Sequence, residues 1–80
     1  MTSSTNRKTL ADALAILTQR ERTARMAYEE IRDRLAEDAR NEVPAMSAEE
    51  RAQERAEWRC ASARWTEAQE ALATVAALTR

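Results

Sequence analysis

Apolar residues recur along the first half of the chain at Leu10, Leu14, Leu17, Ala24, Tyr28, Ile31 and Leu35, at steps of three, four and one of seven. At 3.6 residues per turn these positions share one stripe, so the spacing predicts a long amphipathic helix with a heptad-like seam. Glu21 occupies the seam position between Leu17 and Ala24, where a hydrophobe belongs. The second half repeats the period with Trp58, Ala61, Trp65, Ala68, Leu72 and Val75, with Leu78 slightly off the line. Trp58, Trp65 and Leu72 stand one heptad apart, which predicts a second helix of the same kind.

The punctuation between the two stripes sets their ends. Thr9 followed by Asp12 approximates a capping box, in which hydroxyl and carboxylate satisfy backbone N–H groups that have no intrahelical partner. It predicts a start near Leu10, after a polar, flexible tail over residues 1–8. Pro44 has no amide hydrogen and biases Val43 away from helical geometry, which ends the first helix near Arg40 or Asn41. Ser47 with Glu50 three residues on is a better capping box, and Glu49 and Glu50 also complement the positive end of a helix dipole. The expected organisation is one all-α domain over residues 9–80. It comprises helix 1 at about 10–40, a turn at about 41–47 and helix 2 at about 48–78.

A connection this short folds the helices back as antiparallel neighbours. With the turn centred near residues 43 and 44, Leu10 pairs with Val75, Leu14 with Leu72, Glu21 with Trp65, Ala24 with Ala61 and Ser62, and Tyr28 with Trp58. Large side chains then meet small ones down the seam, and Val43 and Met46 are expected to close the turn end.

Size changes the picture. Eighty residues form a single domain at most, and a chain this short covers a small share of its own surface. Scaffolds of this size commonly complete their core by association, so the hairpin is expected to form a homodimer, a four-helix bundle. Glycine, histidine and phenylalanine are absent while alanine, glutamate and arginine abound, a composition of long helices. The one lysine, Lys8, among many arginines points to a GC-rich bacterial or phage coding sequence.

Charge and residue types narrow the function classes. The 13 basic and 14 acidic residues leave a net charge of −1 and are finely interspersed, so there is no single-sign field to hold nucleic acid or anionic lipid. Arg51, Arg55 and Arg59 recur every four residues, but Glu50, Glu54 and Glu57 beside them favour solvated ion pairing over phosphate binding. No apolar run is long enough for a signal peptide or membrane span. One cysteine, Cys60, rules out an internal disulfide and zinc sites of Cys-Cys or Cys-His spacing. Together these features fit a reducing, cytoplasmic setting.

Catalytic chemistry lacks its parts. Without histidine there is no Ser-His or Cys-His pair, and without glycine no phosphate-cradling loop of the Walker or dinucleotide kind. Glu29, Asp33 and Glu37 stand at i,i+4 spacing, but Arg25, Arg32 and Arg34 flank them and predict an ion-paired face instead of a metal site. No enzyme activity, cofactor, metal or small-molecule substrate is expected. Cys60, with no histidine to activate it, reads as a packing residue.

What remains is binding. Trp58 and Trp65 are too large to be covered by one neighbouring helix, so their outer edges are candidate contacts, since tryptophan is enriched at interface hot spots. Opposite the seam, Ala56, Cys60, Ala63, Ala71 and Leu78 form a second small-residue stripe on the later helix, flanked on the first by Ala13, Ile16 and Ala27, with Arg55 and Arg59 at the rim. Glu21 is a candidate register-specifying residue. Its carboxylate has Arg25, Arg64, solvent or an arginine of a second subunit within prospect. The function expected is a non-enzymatic protein-binding module acting as adaptor, inhibitor or assembly factor. Two other readings share the architecture: a Rop-like RNA- or DNA-binding helical bundle, similar in its two-helix subunits but in no motif, and a structural subunit of a virion or other large assembly.

Overall fold

The computed structural model describes residues 2–43 and 45–79, with side-chain surroundings from Arg7 onward. It is an all-α helical hairpin. Helix α1 runs Thr2–Arg40 and helix α2 runs Ala48–Leu78, and no strand occurs among the described residues. Side-chain contacts run from Glu21 to Trp65 near the middle and from Asp38 to Arg51 near the turn, so the helices are antiparallel. The body is a rod of 65 × 15 × 15 Å.

Three of the four helix ends fall where the sequence places them. Helix α1 stops at Arg40, and the Asn41 N–H donates to the Asp38 carbonyl at 3.3 Å as the chain leaves it. Ser47 caps α2: its Oγ accepts from the Glu50 N–H at 3.1 Å, while the Glu50 carboxylate accepts from the Ser47 N–H at 3.4 Å. At the far end the Thr79 N–H donates to the Ala76 carbonyl at 3.2 Å, and α2 closes at Leu78 as expected.

The fourth end differs. Helix α1 begins at Thr2, so the backbone is helical through most of the segment expected to be a flexible tail, and Thr9 lies within the helix instead of capping it. Residues 2–9 contain neither glycine nor proline. Extending an existing helix by one residue fixes one residue for one hydrogen bond, whereas starting one fixes several for the same gain. A helix already held by its seam therefore runs back through serines and threonines of indifferent propensity.

The turn also closes in another way. Pro44, the expected stop signal, lies outside the described residues. Val43 is 83% exposed and closes nothing. Asp38, 4% exposed, takes that role: its carboxylate accepts from the Met46 N–H at 3.0 Å and from Arg51 Nε at 2.9 Å, while Arg51 also donates to the Met46 carbonyl at 3.2 Å. The last turn of α1, the connection and the first turn of α2 are thus tied by two side chains. The bond from the Met46 amide and then the bond from Arg51 hold the Asp38 carboxyl below its ordinary value of 3.8, because both stabilise the charged form.

The core is thin, as two cylinders in contact along one line require. Ala61, 3% exposed, is the buried hydrophobic residue, and no described large side chain is fully enclosed. Leu10, Leu14, Leu17, Tyr28, Ile31, Leu35, Trp58, Trp65, Leu72 and Val75 all sit half-buried.

Candidate protein-binding surfaces

At the centre of the seam three aromatic rings form one unit. Tyr28 of α1 stacks on Trp58 of α2 at 5.8 Å between ring centroids and lies against Trp65 at 5.0 Å. The heptad spacing of the tryptophans puts both within reach of one tyrosine. Arg32, one turn beyond Tyr28, carries its guanidinium 6.0 Å from the tyrosine ring, within cation–π range.

The two indole N–H groups fare differently. Trp65 donates from Nε1 to the Glu21 carboxylate at 3.0 Å. Arg25 approaches the same carboxylate oxygen at 3.5 Å from the next turn of α1. Glu21 thus sits at the seam with the cross-helix neighbour its register predicts, engaged with Arg25 and an indole. Arg64 instead lines the neighbouring groove. Trp58 buries its Nε1 with no acceptor among the described residues, an omission that costs about 1–3 kcal/mol relative to a paired donor.

The candidate contact residues divide between the two flanks of the seam. On one flank, Trp58 lines a hollow with Leu35, Ala36, Arg55 and Arg59. Arg59 Nε donates to the Arg55 carbonyl at 3.5 Å, and the third member of the expected basic ridge, Arg51, is turned into the Asp38 clasp. On the other flank, consecutive hollows run along the helix pair as one groove. Ala27 and Ile31 meet Ala56, Cys60 and Ala61 in its turn-proximal section. Ala24 spans the middle with Ala61 and Arg64, and Leu17 and Arg20 meet Glu67, Ala68 and Ala71 in the distal section.

Cys60, Ala56 and Ala71 therefore share a wall, and Ala63, though exposed, stands outside it. Leu78, seven residues beyond Ala71, and Ile16, four before Arg20, extend the two walls along their helices. They are 66% and 54% exposed. The stripe expected opposite the seam thus walls the groove beside it, half a turn of α2 away from Trp58.

Ion pairs dress the remaining faces. Arg32 and Asp33 pair at 3.1 Å, and Arg34 bridges Glu30 at 3.5 Å and Glu54 across the seam at 3.2 Å. Among the described residues no group of three His, Cys, Asp or Glu side chains is placed to hold a metal ion, and no helix is long and apolar enough to cross a membrane. The chain matches no family model, no curated protein and no solved structure.

Proposed function

We propose that this chain is a non-catalytic protein-binding module of the cytoplasm, a helical hairpin that pairs with a second copy as a four-helix bundle and engages a protein partner as adaptor, inhibitor or assembly factor. The observation that carries the reading is the thinness of the core: a seam of ten large side chains stays half-buried, with Ala61 as the enclosed hydrophobe. Apolar surface left in water at both flanks is a driving force for association. The non-catalytic part rests on the absence of histidine and glycine, which removes the commonest acid–base group and the phosphate loops.

The two flanks suit two occupants. The hollow at Trp58, rimmed by Arg55 and Arg59, suits an apolar segment edged with carboxylates, with the indole as anchor. Affinity capture on the tagged full chain tests this half of the reading. The expected result is a protein retained by the wild type and lost with Trp58→Ala and with Arg55→Glu/Arg59→Glu. Equal retention by the wild type and both variants would refute it.

A further inference from the structure

The ionisable residues lining the alanine groove are Arg20, Glu57, Arg64 and Glu67, and none of them forms an ion pair among the described residues. Two positive and two negative charges around an apolar floor make a surface that no single-signed ligand neutralises. A second copy of the same surface carries both signs and can set Arg20 against Glu67 at two places.

From this balance we propose that the groove is the self-association face, filled by a second copy about a two-fold axis parallel to the helices, so that α1 of each copy lies on α2 of the other. The proposal rests on the self-pairing part of the functional reading and adds the face, the axis and the contacts.

Such an axis keeps every residue at its own height along the rod. Within the hairpin, Ile31 and Ala27 share a hollow with Ala56 and Cys60, and Arg20 shares one with Glu67 and Ala71. Residues at one height in one copy are therefore at the same height in the stacked pair. Ile31 comes down on Ala56 of the second copy, Ala27 on Cys60, Ile16 on Ala71, and Arg20 over Glu67, each contact occurring twice. Large meets small and cation meets anion, as a packed four-helix layer requires.

The other two-fold, across the rod, fits less well where it passes at the level of Ala27 and Cys60: it lays α1 on α1 and α2 on α2, brings Cys60 of the two copies together, and moves Arg20 toward Arg34 of the second copy.

Contact along the whole of α2, about 46 Å at 1.5 Å per residue, across a hairpin 15 Å wide would cover roughly 700 Å² per copy, within the range of about 600–1,000 Å² that a specific interface takes from each partner.

Charge reversal tests the pairing. Dissociation constants of the full chain are measured by sedimentation velocity for the wild type, Arg20→Glu, Glu67→Arg and the combined variant. Each single change sets like charges together at two places and is expected to weaken the dimer about tenfold or more; the combined change is expected to restore it to within about threefold of the wild type. A dimer indifferent to the single changes, or not restored by the combination, overturns this docking while leaving self-association standing. A wild type that stays monomeric at every concentration overturns both.

A cross-link keeps the test independent of folding losses in the charge variants. Under mild oxidation Ala27→Cys, with the native Cys60 in place, is expected to give a covalent dimer on a non-reducing gel that the wild type does not give. Equal cross-linking of the wild type through Cys60 alone would show the axis to be the wrong one.

Discussion

Trp65 and Glu21 meet across the seam at 3.0 Å, the indole N–H donating to the carboxylate. Each answers a difficulty the other creates. A carboxylate at a seam position is costly without a donor, and an indole N–H turned inward is costly without an acceptor. The contact joins residues 44 apart in sequence, so a slide of one helix along the other would break it.

Removing either side of that bond is expected to destabilise the fold. Glu21→Ala and Trp65→Phe should each lower unfolding stability by about 1–2 kcal/mol, the low side of hydrogen bonds to charged groups because the site is partly wet. Glu21→Gln, which keeps an acceptor, should lose less. Urea unfolding at one fixed chain concentration measures this, and a double-mutant cycle of Glu21→Ala with Trp65→Phe should return a coupling of about 1 kcal/mol. Independent, additive losses would show that the bond contributes nothing.

The two tryptophans should respond unequally to the same substitution. Trp58 has no acceptor for its buried N–H among the described residues, so Trp58→Phe removes an unsatisfied donor and keeps an aromatic ring against Tyr28. It should cost about 1 kcal/mol less than Trp65→Phe in the same unfolding assay. An equal or greater loss at Trp58 would mean that its indole N–H is satisfied in solution.

The Asp38 clasp predicts an acid limit. Its carboxyl is held below the ordinary value of 3.8 by the Met46 amide first and Arg51 second. Between the unfolded and folded values the unfolded chain binds more protons, so stability rises with pH there. The clasp's contribution is fully present above about pH 4 and is lost as pH falls below 3.8 toward the depressed folded value. Asp38→Asn should flatten that part of the stability–pH curve and speed amide exchange at Met46, whose N–H loses a charged acceptor. An unchanged acid slope in the variant would contradict the role given to Asp38.

Ser47→Ala should cost about 1 kcal/mol and Ser47→Gly only a few tenths, the usual hierarchy at a helix N-cap, read from the same unfolding curves. Equal losses would indicate that the reciprocal bonds to Glu50 contribute little.

These sites differ in how far the sequence exposes them. The Ser47–Glu50 box is local, three residues apart, and is legible without any tertiary knowledge. The Glu21–Trp65 and Tyr28–Trp58 neighbours are long-range, yet they follow from two periodic stripes and one short turn, because a straight antiparallel pair has a single free variable, its register. Asp38 was not legible. Its role depends on the path of the chain through residues 41–47, where no period operates, and Arg51 read as part of a surface ridge with Arg55 and Arg59. The start of α1 was hidden for another reason: Thr9–Asp12 has the composition of a cap, but a cap is used only where the helix stops, and nothing in residues 2–8 stops it. The division of the candidate contacts into two flanks needed the packed pair, since the seam's direction decides on which side Trp58 and Cys60 emerge.

The central claim is that one hairpin is half of a packed unit. Sedimentation equilibrium of the wild-type chain from micromolar to millimolar concentration, with thermal unfolding followed on the same samples, tests it most directly. The expected result is a species of twice the 9.1 kDa chain mass and a midpoint that climbs with concentration, as linked folding and association require. A fully helical species of single-chain mass throughout, with a midpoint indifferent to concentration, would contradict it.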